Sequence, residues 1–220
     1  MKYIKKNEPP ESLEAYRKQD SACFSEMPPD IKEELRACLI AEQGGICCYC
    51  GKRITPDYHS VIEHLFPKGL KQYQHLQLAY SNLLCSCDGG EADRTGKTKA
   101  QKRVFPPYCD SKKNNRVIKI TPLDENCESC FSYDDEGHIY GKTAEAEETI
   151  EILGLDCSTL VNLRKAAIDA YSEMILPSDD DWKMEIAFLK TRTTDGYFRP
   201  FCFAVIYYIQ HYKMSFAETA

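Results

Sequence analysis

Four short strings between Gly44 and Asn114 restrict what this chain can fold into more than anything else in it. They are Cys47-Cys48-Tyr49-Cys50-Gly51, Ile62-Glu63-His64, Ser81-Asn82-Leu83-Leu84-Cys85-Ser86-Cys87 and Pro107-Tyr108-Cys109-Asp110-Ser111-Lys112-Lys113-Asn114. The Cys-x-x-Cys pair places two thiolates on one tight turn, and Gly51 lets the backbone curl until both sulfurs face one point. Tetrahedral zinc then needs two more ligands from elsewhere in the chain. We assign Cys87 and Cys109 to that second pair, with Cys85 as the substitute for Cys87. The competing reading is a set of buried free thiols packed as small hydrophobes. A Cys-x-x-Cys followed by Gly is a spacing with a mechanism, and it favours a structural Zn²⁺ site held by Cys47, Cys50, Cys87 and Cys109.

The order of these strings resembles the zinc-braced HNH nucleases, a branch of the ββα-metal superfamily. More narrowly it is similar to the HNH subunit (PtuB) of Septu-type anti-phage systems, also found beside some retrons. The resemblance is strong over the motif region and loose over the rest. It implies an α+β fold with a zinc-braced ββα-metal core, and it divides the chain into three parts. Residues 1–43 form an N-terminal helical region, 44–119 the HNH core, and 120–220 a hairpin plus a C-terminal helical region. One departure stands out: 21 residues separate Cys87 from Cys109, where many HNH knuckles have two. The Septu-like group carries a long spacer at this place as well.

The resemblance also implies roles. Hydrolysing a phosphodiester requires an activated water, neutralised phosphate charge and a stabilised leaving oxygen, and one divalent ion serves the last two. His64 matches the first histidine of the HNH pattern and is the expected general base, since neutral imidazole accepts a proton near cellular pH. Glu63 and Asp110 are the expected carboxylate ligands of a catalytic Mg²⁺ or Mn²⁺, hard ions that favour such oxygens. Asn82 matches the middle asparagine and is expected to hold the histidine loop. Lys113, with Lys112 beside it, is expected to grip a phosphate. Glu at 63 and Asp at 110 replace the commoner Asp and His or Asn. The implied partners are nucleic acid, DNA in the first place and RNA otherwise, and a PtuA-like ATPase subunit. Each of these residues also has a plain structural reading on its own, and a catalytically silent zinc-braced module that binds nucleic acid or a partner is the alternative function.

Composition narrows the class without choosing the chemistry. Over 220 residues, 43% hydrophobic and 28% charged content describe an ordinary globular chain. No run approaches the roughly 20 apolar residues of a membrane span, and Met1-Lys2-Tyr3-Ile4-Lys5-Lys6 lacks the apolar core of a secretory signal. A cytoplasmic protein is therefore expected, without a membrane partner, in which 12 cysteines act as ligands and buried thiols rather than as disulfides. The net charge of −6 conceals a strong asymmetry. Arg94 to Lys119 holds nine Lys/Arg against Asp110 alone, whereas Pro122 to Ser158 holds eleven Asp/Glu against Lys142 alone. Beside the proposed site, a basic run of this kind favours phosphate binding.

Periodicity supplies the frame. Residues 1–10 read as extended and mobile. Helices are expected from Ser12 to Asp20 and from an N-cap at Asp30 to Gly44-Gly45. Val61 to Leu65 reads as a short strand, with Glu63 and His64 alternating unless the strand bulges or ends. Asp88 to Pro107 reads as a mobile basic insertion. Phe131-Ser132-Tyr133 and His138-Ile139-Tyr140 read as a hairpin, and Cys127-x-x-Cys130 lacks a partner pair for a second zinc. Thr143 caps a helix that stops at Gly154, and Ser158 caps the next. Trp182 to Lys190 is a third helix. A last one, Pro200 to Tyr212, is apolar on almost every side and belongs in a core or against a partner.

Overall fold

The computed structural model describes residues 1–57 and 59–214. The opening segment is extended, as expected, but it is anchored. Met1 and Ile4 are buried, the Ile4 amide donates to the Pro122 carbonyl, and Lys6 reaches both Glu42 at 2.5 Å and the Leu83 carbonyl at 2.9 Å. The first two helices, α1 (Glu11–Arg17) and α2 (Pro29–Glu42), begin earlier than the side-chain caps suggested. Pro10 and Pro28 occupy the N-cap positions, and Pro29 opens α2. Proline suits a first helical turn because its missing N–H and fixed φ cost nothing there.

After α2 the chain turns through Gly44 and Gly45, both at positive φ, into the cysteine knuckle. There the Cys47 amide donates to the Lys52 carbonyl and the Gly51 amide to the Cys47 carbonyl. Gly51 holds φ 77, and a Cβ on it would lie 2.5 Å from the Phe203 ring. Only glycine satisfies that backbone and that approach together.

Two strands follow, β1 (Ser60–His64) and β2 (Leu83–Cys87), paired antiparallel with Glu63 opposite Leu84 and His64 opposite Leu83. Next come two short helices, α3 (Glu91–Arg94) and α4 (Lys99–Val104). They give the expected loop local order, α4 through a reciprocal capping box between Thr98 and Gln101. A single turn and a half of helix, α5 (Cys109–Lys113), packs on β2 and completes a ββα arrangement. Gln43 ties the knuckle to the sheet, donating to the carbonyls of Ile46 and Cys85 and accepting from the Cys85 amide.

Beyond the site lie the hairpin β3 (Phe131–Tyr133) and β4 (Ile139–Gly141), then α6 (Ala144–Leu153), α7 (Ser158–Ser172), α8 (Asp179–Lys190) and α9 (Cys202–Tyr208). Thr143 caps α6 by accepting from the Ala146 amide, and Gly154 ends it in the left-handed conformation. For α7 the cap falls at Cys157, one residue before Ser158, and α8 begins three residues earlier than expected under a Ser178 cap. The helix α9 runs on into a π-helical turn, Ile209–Lys213.

One hydrophobic core runs from Met1 through Leu35, Leu83 and Leu153 to Phe203. A second gathers Ile168, Trp182, Ile186 and Leu189 against Val205 to Ile209. The apolar last helix is thus covered by its own chain, and α9 contributes to both cores. Among the described residues no helix is long and apolar enough to cross a membrane.

Candidate metal centre and active site

The Cys47–Cys109 and Cys50–Cys87 sulfur pairs each lie 3.8 Å apart, and the four sulfurs all fall within 4.8 Å of one another. Zn–S bonds of about 2.3 Å at a tetrahedral centre require sulfur separations of about 3.8 Å, so this donor set fits zinc in number, chemistry and spacing. All four are buried free thiols. Burial opposes ionisation of Cys47, yet contacts from the surrounding sulfurs draw it well below the usual thiol range. Cys109 holds φ 50, a conformation rare for a residue with a Cβ, at a cost of roughly 1–3 kcal/mol. Cys85 is not part of the cluster: it is buried on β2, and a hydrogen bond links its thiol to Ser60.

Three other residues singled out in the sequence gather at a cleft. Glu63, His64 and Asp110 line one open cleft of about 310 Å³, together with Lys68, Asn114 and Asn115. His64 is the last residue of β1. Its Nε2 lies 3.0 Å from the Gln77 carbonyl, which fixes the proton on Nε2 and leaves Nδ1 as the basic nitrogen. Burial, reinforced by the charges of Lys68 and Lys113, pushes the imidazole down to about 4, so the ring is neutral at cellular pH. Phe24 packs edge-on against it, with ring centroids 4.5 Å apart.

Asn82 ends the short 3-10 turn before β2 and is 3% exposed. Its Oδ1 accepts from the Phe66 amide at 2.7 Å, and its Nδ2 donates to the carbonyls of Phe66 and Leu76. Those bonds brace the loop that follows His64.

Glu63 lines the cleft but is itself almost wholly buried. Its Oε1 accepts from the Tyr49 hydroxyl at 2.9 Å and from the Lys113 ammonium at 2.6 Å. Burial and a hydrogen bond with the Asp110 carboxyl push Glu63 up to about 8, against the opposing pull of Lys113. Two carboxyl groups so placed resist carrying charge together, and a cation between them removes that conflict. Glu63 and Asp110 therefore offer oxygen donors suited to a hard divalent ion.

The two lysines take different places from those the sequence suggested. Lys113 is 1% exposed, and its ammonium bonds Glu63 and the His64 carbonyl rather than facing solvent. The Lys112 side chain lies against Gly154 and lines a separate groove with Pro106, Pro107 and Ile150. The exposed cation at the cleft is Lys68, whose Nζ sits 4.5 Å over the Phe24 ring. No spacing rule points to Lys68 in the sequence. Tyr49 had a signal, an aromatic residue set between two metal-ligand positions.

No family model matches the chain. Over 147 residues it is 29% identical to a Vibrio cholerae serotype O1 biovar El Tor protein named "Retron Vc95 putative HNH endonuclease", across 63% of this chain and 65% of the relative. The match thus spans under two thirds of that relative. The similarity supports a general kinship with HNH endonucleases, in keeping with a mixed α+β fold whose four clustered cysteines are able to hold a metal.

Proposed function

We propose that the protein is a metal-dependent HNH endonuclease that hydrolyses nucleic-acid phosphodiester bonds. The observation that carries this reading is the convergence of His64, Glu63 and Asp110 on one cleft beside a four-cysteine cluster. The clustered thiols hold a structural Zn²⁺. Glu63 and Asp110 hold Mg²⁺ or Mn²⁺, which supplies charge neutralisation at the phosphate and at the leaving oxygen. His64, with its proton fixed on Nε2 by Gln77, takes a proton from the attacking water at Nδ1. Asn82 keeps the imidazole in place through Phe66 and Leu76. Lys68 contacts phosphate from the cleft rim, and the basic residues of α3, α4 and the turn between them extend that contact along the strand.

The named relative is a retron protein. By extension the chain serves as the nuclease of an anti-phage complex, restrained by an ATPase subunit, with DNA as the first substrate to test and RNA as the second.

The test compares wild type and His64→Ala on plasmid DNA and on RNA with Mg²⁺ or Mn²⁺, alone and with the partner ATPase. Wild-type cleavage reduced about 10²- to 10⁴-fold in His64→Ala is expected. Equal activity in both proteins removes His64 from its role. An absence of cleavage under every condition replaces the enzyme with a zinc-braced binding module.

A further inference from the structure

Tyr49 links the cysteine knuckle to the carboxylate site. It lies between Cys48 and Cys50, is wholly buried, and points its hydroxyl away from the sulfurs toward Glu63 Oε1 at 2.9 Å. Lys113, from α5, donates to the same oxygen at 2.6 Å. Both donors therefore bind one oxygen of the carboxylate, Oε1, and neither of them occupies Oε2. Tyr49 belongs to the turn that presents Cys47 and Cys50, and Lys113 to the helix that presents Cys109. Both donors ride on segments that the sulfur cluster draws together.

We infer that Tyr49 is a positioning residue: with Lys113 it clamps Oε1 of Glu63, so that this carboxylate offers one pre-oriented oxygen to a divalent cation. The inference rests on the nuclease reading and adds to it a residue outside the HNH pattern. Glutamate has one more rotatable bond than aspartate, and a two-donor clamp removes the freedom that the extra methylene brings. Partners that orient a ligating group in this way typically govern metal affinity by about 10- to 100-fold. The arrangement also ties the two metals together, since disordering the knuckle removes the Tyr49 hydroxyl from Glu63.

The test is Mn²⁺ titration of the full-length, zinc-loaded protein, followed by the paramagnetic resonance of free Mn²⁺. Wild type, Tyr49→Phe and Glu63→Gln are compared, with zinc content and thermal midpoint measured on each. Tyr49→Phe is expected to keep its zinc and its fold while binding Mn²⁺ about 10- to 100-fold more weakly. Glu63→Gln is expected to lose the Mn²⁺ site. Wild-type Mn²⁺ affinity in Tyr49→Phe overturns the inference and leaves the nuclease reading intact. A Tyr49→Phe protein that no longer retains zinc overturns it as well, because the hydroxyl then serves the knuckle rather than the carboxylate. Wild type that binds no Mn²⁺, or Glu63→Gln that binds it normally, removes the ion site and the inference together.

Discussion

The sulfurs of Cys47 and Cys109 meet at 3.8 Å although 62 positions separate them in the chain. Closing so long a segment costs entropy that a metal bound by the four sulfurs would offset, so the cluster's occupancy is expected to govern folding. Cys87→Ser should lose most of the bound zinc and lower the thermal midpoint, whereas Cys85→Ser should keep a full equivalent. Elemental analysis of freshly purified protein decides between them. Equal zinc in the two variants would rule out Cys87 as a ligand.

Lys113 and Glu63 form a buried ion pair, with side chains 1% and 5% exposed. Removing one partner of such a pair leaves the other desolvated and unmatched, at a typical cost of about 3–5 kcal/mol. Lys113→Met should therefore destabilise strongly in urea unfolding, while Lys112→Met, on the solvent-facing groove, should change stability by less than about 0.5 kcal/mol. Similar midpoints for the two variants would contradict this placement of the ammonium.

Three hydrogen bonds from one amide hold the loop after His64, so Asn82 is expected to act on catalysis through position. Asn82→Ala leaves the Phe66 amide and carbonyl without their partner and removes one of the two donors to the Leu76 carbonyl, which keeps the Ala79 amide. Each group that stays buried and unsatisfied costs about 1–3 kcal/mol. Asn82→Asp retains only the acceptor for Phe66. We expect both to lose stability and turnover, with alanine the worse, measured by calorimetry and by plasmid cleavage. Wild-type turnover in Asn82→Ala would separate this loop from the chemistry.

Basic residues Lys99, Lys102 and Arg103 lie on or near the surface of α4. If they follow a nucleic-acid backbone, reversing all three to Glu should weaken oligonucleotide binding and flatten its salt dependence. The expected change in slope is about 0.9 per lost phosphate contact on duplex and about 0.7 on single strands. Fluorescence anisotropy across a salt series gives both numbers. An unchanged slope would place the substrate elsewhere.

Where local chemistry governs, the sequence was legible. Thr143 and Gly154 bracket α6 because a side-chain acceptor and a left-handed glycine act within one turn. The hairpin of Phe131–Tyr133 and Ile139–Gly141 followed from its alternation and its Asp-rich turn. The caps of α1 and α2 were harder to place, since Pro-Pro pairs start a helix without any side-chain hydrogen bond. Burial of charge was illegible for a different reason. Lys112 and Lys113 are adjacent and chemically alike, and only the packing of α5 on β2 turns one inward and leaves the other outside. Lys68 and the Gln77 carbonyl reach His64 through tertiary folding that no spacing encodes. The anchored N-terminal segment depends likewise on Glu42 and Leu83, distant in sequence.

The long segment between Cys87 and Cys109 is fastened where it leaves and returns: Tyr108 donates to the Gly89 carbonyl, and Ser111 to that of Asp88. A loop gripped at its root transmits little of its own length or composition to the structure below. It can be shortened, lengthened or exchanged while the sulfurs keep their spacing. On the proposed nuclease reading, substrate preference would then vary through this one appendage without alteration to the cleft of Glu63, His64 and Asp110.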